Sequence, residues 1–140
     1  MPQRTMGEII RDQKPLTLPP AATVSQACAA MYARKVGAVL VVNGEHHLLG
    51  IFTGRDAVRL LAEGADAKKT PVEAVMTKNP TTLGPKATAM EALLLLNDAG
   101  FRHLPVVEGG RVVGIVSRYD FRAKEQARFD DETGFMEMMR

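Results

Sequence analysis

Two stretches of this chain are near-copies of each other: Gly50-Ile51-Phe52-Thr53-Gly54-Arg55-Asp56 and Gly114-Ile115-Val116-Ser117-Arg118-Tyr119-Asp120. They belong to a longer repeat. A shift of 65 positions lays Thr5 on Thr70, Glu8 on Glu73, Pro15 on Pro80, Thr17 on Thr82, Pro20 on Pro85 and Thr23 on Thr88. Val41-Val42 then fall on Val106-Val107, and after Gly44 and Gly109 the shift becomes 64. A unit of under 60 residues buries little on its own, so the two copies are expected to pack on each other as one body.

Each copy opens with a hydroxyl three residues before a glutamate, Thr5 to Glu8 and Thr70 to Glu73. That spacing marks a helix start. Prolines then bound an extended stretch, Pro15 to Leu18 and Pro80 to Leu83. Two further capping boxes, Thr23 to Gln26 and Thr88 to Glu91, launch amphipathic helices along Val24, Ala27, Cys28, Met31 and Ala89, Ala92, Leu93, Leu96, the second stopping at Gly100. Two apolar strands follow around Asn43-Gly44 and Gly109-Gly110, a hairpin pattern. A last helix covers Ala57 to Leu61 in one copy and Phe121 to about Ala127 in the other.

The fold class read from this order is α/β (α+β): two β-α-β-β-α repeats packed through their sheets with pseudo-twofold symmetry. The boundaries are 5–62 for the first repeat, 63–69 for a linker, 70–127 for the second repeat and 128–140 for a tail. The tail holds Phe129, Phe135, Met136, Met138 and Met139 and is expected to contact an oligomer mate or partner.

Composition narrows function mainly by exclusion. A net charge of +2 without a block of like charge, no Trp, two Tyr and five Phe argue against nucleic acid. No apolar run is long enough to span a bilayer and the first residues lack a signal-peptide core, so the expectation is a cytoplasmic protein without membrane contact. The one cysteine, Cys28, cannot form an internal disulfide and lies on an inward helical stripe.

The recurring end of the second hairpin strand carries the chemistry. A strand there gives way to a hydroxyl, Thr53 or Ser117, and three residues on to a carboxylate, Asp56 or Asp120. Backbone N–H groups and a hydroxyl suit a phosphate, while a carboxylate suits two ribose hydroxyls. The same spacing is also an ordinary capping box, and both readings stand at this point.

With this repeat length, element order and paired Gly-Ile-x-(Ser/Thr)-x-x-Asp ends, the chain resembles the CBS-domain family, as a stand-alone tandem pair of the kind called a Bateman module. Val75-Met76-Thr77 and Arg102-His103-Leu104-Pro105-Val106-Val107 fit it too. The resemblance implies a regulatory, energy- or redox-sensing module that binds an adenosyl ligand between its repeats: AMP, ADP or ATP, or else NAD(H) or S-adenosylmethionine. It implies no catalytic cofactor. One cleft would combine Asp12, Pro15, Thr17, Val36, Gly37 and Ala38 with Ile115, Ser117 and Asp120. The other would combine Thr77, Pro80, Thr82, Phe101, Arg102 and His103 with Ile51, Thr53 and Asp56. Arg55 and Arg118 would reach phosphate. The cleft ending in Ser117 and Asp120 is favoured, because Gly37-Ala38 are small where the other cleft has Arg102-His103, of which Arg102 would either crowd the site or reach a phosphate.

Other features have plainer readings. His46-His47 fall in a hairpin turn without a metal-ligand cluster, and His103 heads a strand as a packing or hydrogen-bonding residue. The run Ala92 to Leu96 is wider than one helical face and points to a homodimer, with core filling within one chain as the competing account; the module is expected to signal to an effector protein still to be identified. No nucleophile–base set, paired catalytic carboxylates or metal spacing is present, so the chain is not expected to be an enzyme. The competing function is a ligand-free scaffold or dimerisation module.

Overall fold

The computed structural model describes residues 3–98 and 101–138. Gly100, Met139 and the side chains beyond 132 lie outside that description. The chain runs α1 (Met6–Ile9), β1 (Thr17–Leu18), α2 (Val24–Arg34), β2 (Ala38–Val42), β3 (Leu48–Thr53) and α3 (Gly54–Glu63) in its first half. The second half holds a 3-10 turn (Val72–Ala74), β4 (Thr77–Lys78), α4 (Ala89–Asp98), β5 (His103–Glu108), β6 (Arg111–Ser117), a second 3-10 turn (Arg118–Asp120) and α5 (Ala123–Met138). This is the expected mixed α+β architecture of two repeats related by a pseudo-twofold axis.

One sheet has the order β1-β2-β3-β4 and the other consists of β5-β6. The first thus borrows a strand from the second copy, since β4 pairs antiparallel with β3. The sheets meet through Ala38, Leu40, Val42, Ile51 and Val112. Their hairpin tips join where Leu48 N–H donates to the Gly110 carbonyl (3.1 Å) and Val112 N–H to that of His46 (3.1 Å). The expected turn forms over Asn43 to His46: His46 N–H donates to the Asn43 carbonyl (3.0 Å), Asn43 Oδ1 accepts from the N–H groups of Glu45 and His47, and His46 closes it with a positive φ of 67°.

The lead-in segments are exchanged between the halves. Met6 and Ile10 are buried with Ala92, Leu96, Leu104, Val106 and Val116 of the second half, while Val72 is buried with Val24, Ala27, Val39, Val41 and Phe52 of the first. Matching backbone bonds hold both crossings: Met6 N–H to the Ala87 carbonyl (2.8 Å) and Val72 N–H to that of Ala22 (2.7 Å). These bonds make Met6 the counterpart of Val72, a spacing of 66 rather than 65. The expected Thr70 to Glu73 box accordingly does not form. Pro71 takes the cap position, and Thr70 Oγ1 donates instead to the Asp66 carbonyl. The Thr5 to Glu8 and Thr23 to Gln26 boxes do form.

The last helix departs from expectation as well. α5 begins at Ala123 and continues to Met138, running through the stretch assigned to a separate tail. Phe129 is buried, and α5 lies against α4. Arg4 fastens the arrangement: its guanidinium donates to Glu125 (Nε to Oε2 2.9 Å, Nη2 to Oε1 2.5 Å) and to the Asp120 carbonyl (3.0 Å).

Candidate functional site

Each Gly-Ile end lies where a lead-in segment crosses it. A Cβ on Gly114 would lie 2.7 Å from Ile10, and one on Gly50 would lie 2.6 Å from Met76 Sδ. Glycine is therefore required for the exchanged segment to reach the sheet. The crossing brings the loop before β1 beside the end of β6 and the loop after β4 beside the end of β3, which creates two clefts.

The first cleft encloses about 340 Å³ and includes Pro15, Val36, Ala38, Ile115, Ser117 and Asp120, with His103 as a wall. Gln13, Lys14, Arg34 and Lys35 also line it. Asp12 and Thr17 do not. Asp12 lies in a neighbouring charged hollow that shares Asp120 and Gln13, and Thr17 pairs with Leu40 in the sheet. Gly37 lines the second cleft instead. Arg118 is exposed and faces Asn97 and Tyr119 in a further hollow, its Nη2 at 3.5 Å from Asn97 Oδ1.

The second cleft encloses about 520 Å³ and brings together Ile51, Thr53, Arg55, Thr77, Pro80, Phe101, Arg102 and His103. Thr82 and Asp56 do not line it; Thr81 and Asn79 do. Asp56 is held within its own helix start: its Oδ2 accepts from Thr53 N–H (2.9 Å) and Thr53 Oγ1 (3.1 Å), and Oδ1 lies 3.6 Å from Arg59.

The two hydroxyl–carboxylate pairs share one geometry. Asp120 Oδ2 accepts from Ser117 N–H (2.7 Å) and Ser117 Oγ (3.4 Å), so both boxes are capping boxes in this structure. They lead to different ends. Thr53 starts the long helix α3, whereas Ser117 starts only a 3-10 turn that keeps Asp120 at the mouth of the first cleft. The bonds to Ser117 use one oxygen of a group with two, which leaves acceptor capacity for a ligand.

Two kinds of lining residue escaped the sequence reading. Gln13 and Asn79 occupy matching places, and Gln13 Oε1 accepts from Ile115 N–H at 3.0 Å in place of a strand bond. They are 66 apart, so a 65-residue comparison passes over them. Lys14, Arg34 and Lys35 converge because Arg34 donates to the Lys14 carbonyl and Lys35 ends α2 in a left-handed conformation, φ 56°. The signal available was a basic pair directly before Val36-Gly37-Ala38.

His103 stands on both clefts. Its Nδ1 is buried without a hydrogen-bond partner. Burial first, and then the Arg102 charge, lower its pKa, against an opposing pull from Asp120. Cys28 is partly buried against the first core, and burial raises its thiol pKa. Among the described residues no group of three His, Cys, Asp or Glu could hold a metal, and no helix is long and apolar enough to cross a membrane.

Comparison with known proteins bears on the whole chain. The family model described as CBS domain matches twice, over residues 6–63 and 72–125. A CBS domain-containing protein of Arabidopsis thaliana is 40% identical over 115 residues, 81% of this chain and 21% of that protein. The chain thus spans about a fifth of the length of that relative. Among solved structures, a CBS domain protein from Pyrobaculum aerophilum complexed with AMP matches with TM-score 0.82 and 20% identity, covering 91% of this chain and 98% of that one. The CBS domain pair of protein MJ0100, in complex with 5′-methylthioadenosine and S-adenosyl-L-methionine, matches with TM-score 0.75 and 22% identity, covering 94% and 99%.

Proposed function

The chain belongs to the CBS-domain family as a tandem pair, and on that premise we propose that it is a regulatory module that binds an adenosyl nucleotide in the cleft between Ala38 and Asp120. One observation carries this reading. Asp120 and Ser117, at the end of the second repeat, face Pro15, Val36 and Ala38 of the first across a single cavity. Apolar Val36, Ala38 and Ile115 suit an adenine face, the Asp120 carboxylate suits ribose hydroxyls, and Lys14, Arg34 and Lys35 add positive charge for phosphate. AMP, ADP and ATP are the preferred ligands, followed by NAD(H) and S-adenosylmethionine. Proteins of the same fold hold AMP or S-adenosyl-L-methionine, which supports that class.

The signal would be a change of shape or of affinity for an effector protein, requiring different nucleotide affinity in two conformations. We further propose a cytoplasmic homodimer without catalytic activity. Exposed Tyr32, Val58 and Leu61 on α2 and α3, with Leu94 on α4, offer apolar surface for it; Ala92, Leu93 and Leu96 of the leucine-rich run are buried within the chain itself. Titration calorimetry with AMP, ATP, NADH and S-adenosylmethionine tests the ligand reading. Absence of heat with all four favours the scaffold, for which the capping role of Asp56 and Asp120 suffices.

A further inference from the structure

The two clefts are separated by little more than one side chain. His103 lines both, and its Nε2 and Cε1 lie 3.4 and 3.5 Å from the point where a Cβ on Gly37 would stand. A Cβ at that position would only touch the ring at ordinary contact distance, so the ring packs directly over the backbone of Gly37. Its Nδ1 is buried and lacks a partner, an arrangement that favours any group able to supply one. Arg102 and Asp120 are the charges that act on the ring, from opposite sides of the balance.

We propose that His103 is a shared partition that couples the two clefts, so that a nucleotide bound in one weakens binding in the other. The inference rests on the nucleotide reading above. A neutral imidazole has one donor and one acceptor nitrogen, and only Nδ1 is buried here without a partner. Because Nδ1 is closed off from both clefts as the ring stands, a ligand that bonds it must turn the ring, and the first to do so fixes its orientation. A second ligand then meets a wall whose orientation was set for its neighbour and whose free valence is spent. Two sites that act on one two-position element are linked, and the linkage is reciprocal.

AMP titrated into the full chain tests this, with His103→Ala and His103→Phe beside the wild type. The wild type is expected to take a first AMP at least about fivefold more tightly than a second, the lower range of typical coupling. In a chain with ¹⁵N-labelled histidine, the His103 Nδ1 resonance is expected to move with the first equivalent of AMP and not with the second. In His103→Phe, which keeps the wall without its nitrogens, and in His103→Ala, which removes it, that difference should shrink. An Nδ1 resonance unmoved by AMP, or the same two-site isotherm in wild type and variants, would overturn the coupling and leave nucleotide binding standing. No AMP binding to the wild type would overturn both.

Discussion

Ile10 rests on the bare backbone of Gly114, so close that an added Cβ would lie 2.7 Å from its Cβ, Cδ1 and Cγ2 atoms. This contact ties the lead-in of the first copy to the last strand of the second. Gly114→Ala is expected to cost about 1–3 kcal/mol through overpacking. Gly44→Ala, where a Cβ would meet nothing within 4 Å, is expected to change stability by under about 0.5 kcal/mol. Urea unfolding of the two variants beside the wild type checks the contrast.

Exchange of the lead-ins makes a second prediction. Met6 is fully buried, but against α4, β5 and β6. Met6→Ala is expected to cost about 2–5 kcal/mol. Hydrogen exchange should show the loss of protection centred on Leu104, Val106 and Val116 rather than on Val39 and Val41, which share the other core. A loss centred on the first half would contradict the exchanged packing.

Arg4 and Glu125 give a pH dependence. The Arg4 hydrogen bond, set against burial, lowers the Glu125 pKa below its ordinary value of 4.5, and the same bond raises that of Arg4. A carboxyl whose folded pKa is depressed contributes stability that is fully present above the unfolded value and is lost as pH falls through the folded one. The wild type should therefore exceed Glu125→Gln in stability at pH 6–7, by about 1.5–3 kcal/mol for a charge-assisted pair this sheltered. That advantage should fade below about pH 4.5. Unfolding midpoints of both proteins across that range are the measurement.

Much of this was legible in the residues. The capping pairs Thr5–Glu8, Thr23–Gln26, Thr53–Asp56 and Ser117–Asp120 are short-range and form as spaced. Hairpin strands declared themselves through apolar runs such as Val39 to Val42. Nothing in the residues announces that Met6 and Val72 pack against the opposite half, because a hydrophobic face carries no address. The one-residue slip between the lead-ins was hidden by the chance agreement of Thr70 and Glu73 with Thr5 and Glu8. It also concealed Gln13 and Asn79 and misplaced Asp12. The length of α5 was illegible for a different reason: Phe129 and the methionines after it read as a sticky end seeking a partner, and only the burial of Phe129, with α5 lying against α4, shows that part of this stretch packs on its own chain.

The central claim is that Asp120 at the first cleft holds an adenosyl nucleotide as well as capping a turn. Calorimetric titration of AMP into wild type, Asp120→Ala and Asp56→Ala, with urea unfolding of each, tests it directly. Loss of either cap alone should cost about 1 kcal/mol of stability. If the claim holds, Asp120→Ala loses a further tenfold or so in AMP affinity, about 1.4 kcal/mol, while the tighter AMP site survives in Asp56→Ala. Equal AMP affinity in all three proteins, or no binding to the wild type, would contradict it.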